Sequence, residues 1–132
     1  MPVVTASHPH LVAFEAAVAK GMSEKVWAAH VRSLLTVAGF QLVYSTWNSL
    51  HSPKGWPDVV AIRRESPGFT VVIAELKTER GKTTAAQDQW LDAWGAIAAT
   101  MNGLSQTVRV VVGVFRPRDK EELWRLLTEK RP

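Results

Sequence analysis

The sequence predicts an α/β domain, a mixed central β-sheet flanked by helices around one core. Three observations carry that prediction. Apolar residues recur at helical spacing in some stretches and form β-favouring runs in others, in the order α, β, β, β, α, β, α. The chain has 132 residues, a length that suits one domain. Of these residues 46% are hydrophobic and 21% charged, a globular balance and not a disordered one.

The elements follow in order. Residues 1–21 read as an N-terminal extension, in which His8-Pro9-His10 opens a short helix over Leu11 to Lys20, and Gly21 ends it. A His-x-His pair can bind metal, but near a terminus solvated sequence is the ordinary reading. Residues 22–132 form the domain, with a core at about 22–115 and a closing helix at about 118–129. Ser23 is a good N-cap. Trp27, Ala28, Val31, Leu34, Leu35 and Ala38 then trace one helical face, and Gly39 stops the helix. Glu24 falls on the same inward stripe. An acid there either complements the helix N-terminus and faces water, or needs another partner.

Phe40 to Trp47 reads as a strand with Phe40, Leu42 and Tyr44 alternating, and Asn48 to Gly55 as a turn-rich loop. Pro57 to Arg63 is a second strand. Ser66-Pro67-Gly68 punctuates a tight turn, and Phe69 to Lys77 is a third strand. After a basic loop, Arg80 to Thr84, a second helix carries Gln87, Trp90, Leu91, Trp94, Ile97, Ala98 and Met101 on its apolar face. Thr107 to Phe115 is a valine-rich fourth strand, expected to be buried on both faces. Pro117 breaks it, and Asp119 opens the last helix with Leu123, Trp124 and Leu127 inward.

Composition narrows the function. No cysteine excludes a disulfide scaffold, an iron–sulfur cluster and a Cys-ligated zinc finger. No apolar run is long enough for a membrane span, and the start has no basic stretch before an apolar core. No membrane association is therefore expected, and the cytoplasm is the default location. The net charge of +4 and a pI near 9.8 are compatible with a phosphate-rich partner.

The chemistry converges at one end of the sheet. Glu75 and Lys77 share a strand face, because strand side chains alternate. Counting outward from a hairpin centred near Pro67 brings Asp58 opposite them. Two carboxylates side by side repel unless a cation lies between them, and a hard divalent ion with oxygen ligands answers that need. The alternative is an ordinary cross-strand Glu–Lys pair with Asp58 as a turn residue.

The ordered set Glu24, Gly55-Trp56-Pro57-Asp58, Glu75-Leu76-Lys77 and Gln87-Asp88-Gln89-Trp90 resembles the PD-(D/E)-x-K nuclease superfamily, and within it the VRR-NUC type. The resemblance spans residues 22 to 115. It implies a restriction-endonuclease-like αβββαβ core. It further implies that Asp58, Glu75 and the backbone carbonyl of Leu76 hold Mg²⁺ or Mn²⁺, with Glu24 completing the site directly or through water. Lys77 would position the attacking water. Gln87 would orient Lys77, the water or the phosphate, although Thr84-x-x-Gln87 is also a capping-box spacing. Gln89 falls off the inward stripe and is a weaker candidate.

Lys54, Arg63, Arg64, Arg80 and Lys82 are expected to meet phosphates, or to form an ordinary solvated face. Trp56 either stacks on a base or packs as a lid. His51 and Asn48 precede Asp58 in the same loop and are candidates to touch the phosphate. Trp90 and Trp94 are expected in the core. The resulting expectation is a metal-dependent deoxyribonuclease acting on branched or otherwise structured DNA as a homodimer, in replication, repair or recombination. The alternatives are a non-cleaving DNA-binding module on the same fold and a sequence-specific restriction-type endonuclease.

Overall fold

The computed structural model describes residues 19, 21–46 and 51–129. The His8-x-His10 pair, Asn48 and nearly all of the expected N-terminal helix lie outside them. The elements are helix α1 (Glu24–Val37), strands β1 (Leu42–Ser45), β2 (Val59–Arg64) and β3 (Phe69–Leu76), helix α2 (Ala85–Leu104), strand β4 (Val108–Phe115), a 3₁₀ turn (Pro117–Asp119) and helix α3 (Lys120–Thr128). The strands form one sheet in the order β1-β2-β3-β4. β1 and β2, and β2 and β3, pair antiparallel; β3 and β4 pair parallel across the α2 connection. The central sheet is therefore mixed, as the element order predicted.

Ser23 caps α1 by accepting the Val26 N–H at 3.1 Å, and Gly39 takes φ +90° just past the helix. The predicted stripe is buried through Trp27, Ala28, Val31 and Leu35. With Leu123 and Leu127 of α3 it covers one sheet face, made by Val59, Ala61, Val72, Ala74, Leu76, Val111 and Phe115. Helix α2 covers the other face, where Trp94, Ala98 and Met101 pack on Ile73, Val110 and their neighbours.

Three expectations about burial are corrected. Phe40 is buried, but it precedes β1, whose Leu42 and Tyr44 are each 55% exposed. They share the α2-side face of the sheet, and α2 packs over β3 and β4. Ile97 of α2 is likewise exposed. Strand β4 packs on both faces but forms a sheet edge, so several of its residues are only half-buried.

Candidate metal centre

The β2–β3 register pairs Val59 with Ala74, so one further step along the hairpin sets Asp58 beside Glu75. Asp58 is fixed there from both sides. Its carbonyl accepts the Thr46 N–H at 2.8 Å, and its Oδ2 accepts the Leu76 N–H at 2.8 Å.

Glu75 is 1% exposed. Its Oε2 accepts from Gln87 Nε2 at 2.9 Å and lies 3.6 Å from Lys77 Nζ. Its Oε1 is buried and has no hydrogen-bond partner. Burial, reinforced by the neighbouring Asp58 carboxyl, pushes Glu75 up to about 8, and Lys77 offsets only part of the rise. An orphaned buried carboxylate oxygen is rare enough to demand an explanation.

Glu24 supplies the third acid from the first residue of α1. Trp27, one turn on, is fully buried, and its indole N–H donates to the Phe115 carbonyl at 2.9 Å. The Lys77 N–H bonds that same carbonyl at 3.2 Å. The helix start is thereby tied to the end of the sheet. One carboxylate oxygen from each of Glu24, Asp58 and Glu75 lies within 4.8 Å of the other two. Three hard oxygen donors at that spacing, from residues that include a carboxylate with an orphaned oxygen, fit a divalent cation.

Gln87 fulfils the capping-box spacing and also reaches the acidic cluster. Its Oε1 accepts the Thr84 N–H at 2.9 Å while Thr84 Oγ1 accepts the Gln87 N–H at 3.1 Å, a complete capping box. Its Nε2 then remains for Glu75. The donor end bonds Glu75, a partner outside the Lys77, water or phosphate that the resemblance implied.

The basic residues divide. Lys54, Arg80 and Lys82 are exposed on segments at the acidic end of the sheet. Arg63 is not a phosphate contact. It is buried, with Nε and one Nη on Glu65 Oε1 at 2.9 and 2.7 Å. Its other Nη donates to the Ala38 and Leu127 carbonyls at 3.0 and 2.5 Å, and its guanidinium lies 4.8 Å from the Phe40 ring centre. Arg64 is exposed but ends β2, about 20 Å of strand away from Asp58. The run of two arginines marked the wrong end of the strand.

Trp56 packs edge-on against Trp90 and Trp94, with ring centres 4.8 and 6.0 Å away. Trp90 and Trp94 are half-buried; Trp94 packs against the core on the α2 side as expected, whereas Trp90 lies at its margin and its Nε1 donates to the Lys54 carbonyl at 3.1 Å. Gly55 seals this contact. At φ +84° it lies so close to α2 that a Cβ would overlap the Ala86 carbonyl. The loop before Asp58 is thus locked to the start of the helix that carries Gln87. His51 is exposed beside Trp56 and Tyr44.

Two supporting residues went unnoticed in the sequence. Trp27 looked like core, and its N–H bond shows only in three dimensions. Arg116 donates to the Thr78 and Gly81 carbonyls at 2.7 and 2.5 Å, which clamps the loop bearing Arg80. Its place directly after a buried strand was the only available signal.

No helix among the described residues is long and apolar enough to cross a membrane. Compared with family models, curated proteins and solved structures, the chain matches none of them.

Proposed function

We propose that this chain is a metal-dependent deoxyribonuclease of the PD-(D/E)-x-K type, with a VRR-NUC-like restriction-endonuclease core. The observation that carries the reading is the convergence of Glu24, Asp58 and Glu75, from three different elements, with Lys77 3.6 Å from Glu75. Such a cluster gives a surface-binding module nothing, since unneutralised acids repel a phosphate backbone.

Asp58, Glu75 and Glu24 would hold Mg²⁺ or Mn²⁺, with the Leu76 carbonyl as a further ligand. Bound there, the ion supplies Lewis acidity toward a phosphoryl oxygen and makes water more acidic. The chain's own groups do the rest. Lys77 Nζ, only 13% exposed in its side chain, orients the attacking water and offsets negative charge developing on the phosphate. Gln87 Nε2 holds Glu75 Oε2 in place and so fixes the carboxylate plane. Asp58 is kept in register by the Leu76 and Thr46 N–H groups. Lys54, Arg80 and Lys82 give the backbone of the DNA a basic rim. The substrate is structured DNA, met by a homodimer.

A labelled panel of linear duplex, single strand, flap, splayed arm and four-way junction tests this in Mg²⁺, Mn²⁺ and EDTA. Cation-dependent cleavage that disappears in Lys77→Ala is expected. Salt-sensitive binding without cleavage would replace the enzyme with a non-cleaving DNA-binding module.

A further inference from the structure

A second feature lies on the same sheet face as Asp58. Tyr44 is paired directly with Val60, and Val60 is two residues from Asp58, so the three side chains leave the sheet on one side. Tyr44 is more than half exposed, because α2 packs over β3 and β4. The loop leading to Asp58 folds beside it. Tyr44, His51, Ser52, Pro53 and Trp56 line a shallow cavity of about 270 Å³.

The cavity has a rigid wall and a polar rim. Trp56 is braced by Trp90 and Trp94, and Gly55 pins the loop to α2. Two aromatic rings and a proline offer flat apolar surface, while Ser52 adds a hydroxyl at the rim. Pockets for drug-sized ligands run from about 300 to 1,000 Å³. This one is smaller and suits a single planar heterocycle with a polar edge.

Its position says which heterocycle. Trp56 is two residues from Asp58 along the chain, and Tyr44 stands opposite Val60, two residues to the other side of Asp58. The cavity therefore lies within about 10 Å of the acidic cluster, roughly the span of one nucleotide of extended single strand. Exposed Lys54 lies in the same loop, between Pro53 and Gly55, and adds a positive charge beside the cavity.

We propose that this cavity receives an unpaired nucleobase adjacent to the phosphate that is cut, stacked against Tyr44 and Trp56. The proposal rests on the nuclease reading above and deepens it. It makes the enzyme prefer a site where the base beside the scissile phosphate is already unstacked, as at a flap or a frayed junction. A base with its partner still paired would have to be extruded first.

The test pairs one protein change with one DNA change. A short single-stranded oligonucleotide is bound in EDTA by wild type, Tyr44→Ala and Tyr44→Phe, intact or with one abasic site moved along it. Wild type and Tyr44→Phe are expected to lose about tenfold or more in affinity when the abasic site reaches one particular position. Tyr44→Ala is expected to bind the intact strand about tenfold more weakly and to be indifferent to that abasic site. Equal binding by wild type and Tyr44→Ala, or no position-dependent loss, overturns the pocket. Cleavage of the same strand in Mn²⁺, with Lys77→Ala as control, reads the nuclease separately. Cleavage without the abasic signature defeats the pocket alone; the signature without cleavage defeats the nuclease and leaves a base-binding site.

Discussion

Two glutamates mark opposite ends of the β2–β3 hairpin, and their surroundings differ in kind. Glu65, in the turn, takes two bonds from the Arg63 guanidinium and a third from Thr70 Oγ1 at 2.5 Å, all on Oε1. Burial pushes its carboxyl up, but Thr70 and Arg63 together hold it below the ordinary glutamate value. Glu75, at the other end, is more deeply buried and keeps Oε1 without a partner, with Asp58 and Glu24 as its neighbours. Its carboxyl is pushed the opposite way, up to about 8. Each acid has a basic side chain of the protein beside it, but Arg63 donates twice to Glu65, whereas Lys77 lies 3.6 Å from Glu75 Oε2 and Oε1 keeps no partner. A buried acid therefore becomes a functional candidate through the partner it lacks, not through burial itself.

Breaking the unfinished end should cost activity and leave the fold. Lys77→Ala or Asp58→Ala is expected to lower cleavage about 10²–10⁴-fold or more, with thermal unfolding and circular dichroism close to wild type. Full activity in either purified variant sinks the mechanism.

Breaking the finished end should do the reverse. Arg63→Ala leaves Glu65 and the Ala38 and Leu127 carbonyls without their cation, and is expected to cost about 3–5 kcal/mol in urea unfolding. Cleavage below the unfolding transition should survive. A stable Arg63→Ala protein with weakened DNA binding would return Arg63 to the phosphate surface.

The comparison sharpens with pH. The folded pKa of Glu75 is above its unfolded value, so the cation-free native state holds an extra proton between about pH 4.5 and 8. The stability that this proton contributes is fully present below that window and is lost as pH rises through it. Glu75→Gln should remove this part of the slope of Tm against pH. A divalent cation binds the ionised carboxylate, so its stabilising effect on wild type should instead grow with pH. An identical slope in both proteins would contradict the assignment.

The smallest effect separates the two ends of the Gln87 amide. Thr84→Ala breaks the cap and should cost about 1 kcal/mol while sparing catalysis. Gln87→Ala should cost a similar amount of stability and also lower kcat, because Glu75 Oε2 loses its donor. Equal activity in the two variants would make Gln87 a capping residue only.

Much of this end was legible in the sequence because it depends on local rules. Helical periodicity gave α1 and its stripe, including the inward Glu24. The Ser66-Pro67-Gly68 turn set the hairpin register, and register set Asp58 beside Glu75. Less legible was anything decided by which sheet face a helix covers. Alternation in β1 marks two faces but cannot say that α2 packs over β3 and β4 and leaves Tyr44 open. Arg63 was misread for a related reason. Alternation with Val59 and Ala61 puts it on the inward face, but its carbonyl partners, Ala38 and Leu127, stand 25 and 64 residues away and do not show in the local sequence. Trp27 and Arg116 escaped notice in the same way, since each bonds a backbone carbonyl from a distant element.

The central claim is that the acidic end of the sheet is built for a divalent cation. Calorimetric titration of the full chain with Mn²⁺, repeated at pH 6, 7 and 8 alongside Glu75→Gln, tests it most directly. Saturable binding is expected that tightens as pH rises, releases protons, and is abolished or weakened about tenfold or more in Glu75→Gln. Binding that is absent from wild type at millimolar Mn²⁺, or that Glu75→Gln leaves unchanged, would contradict it.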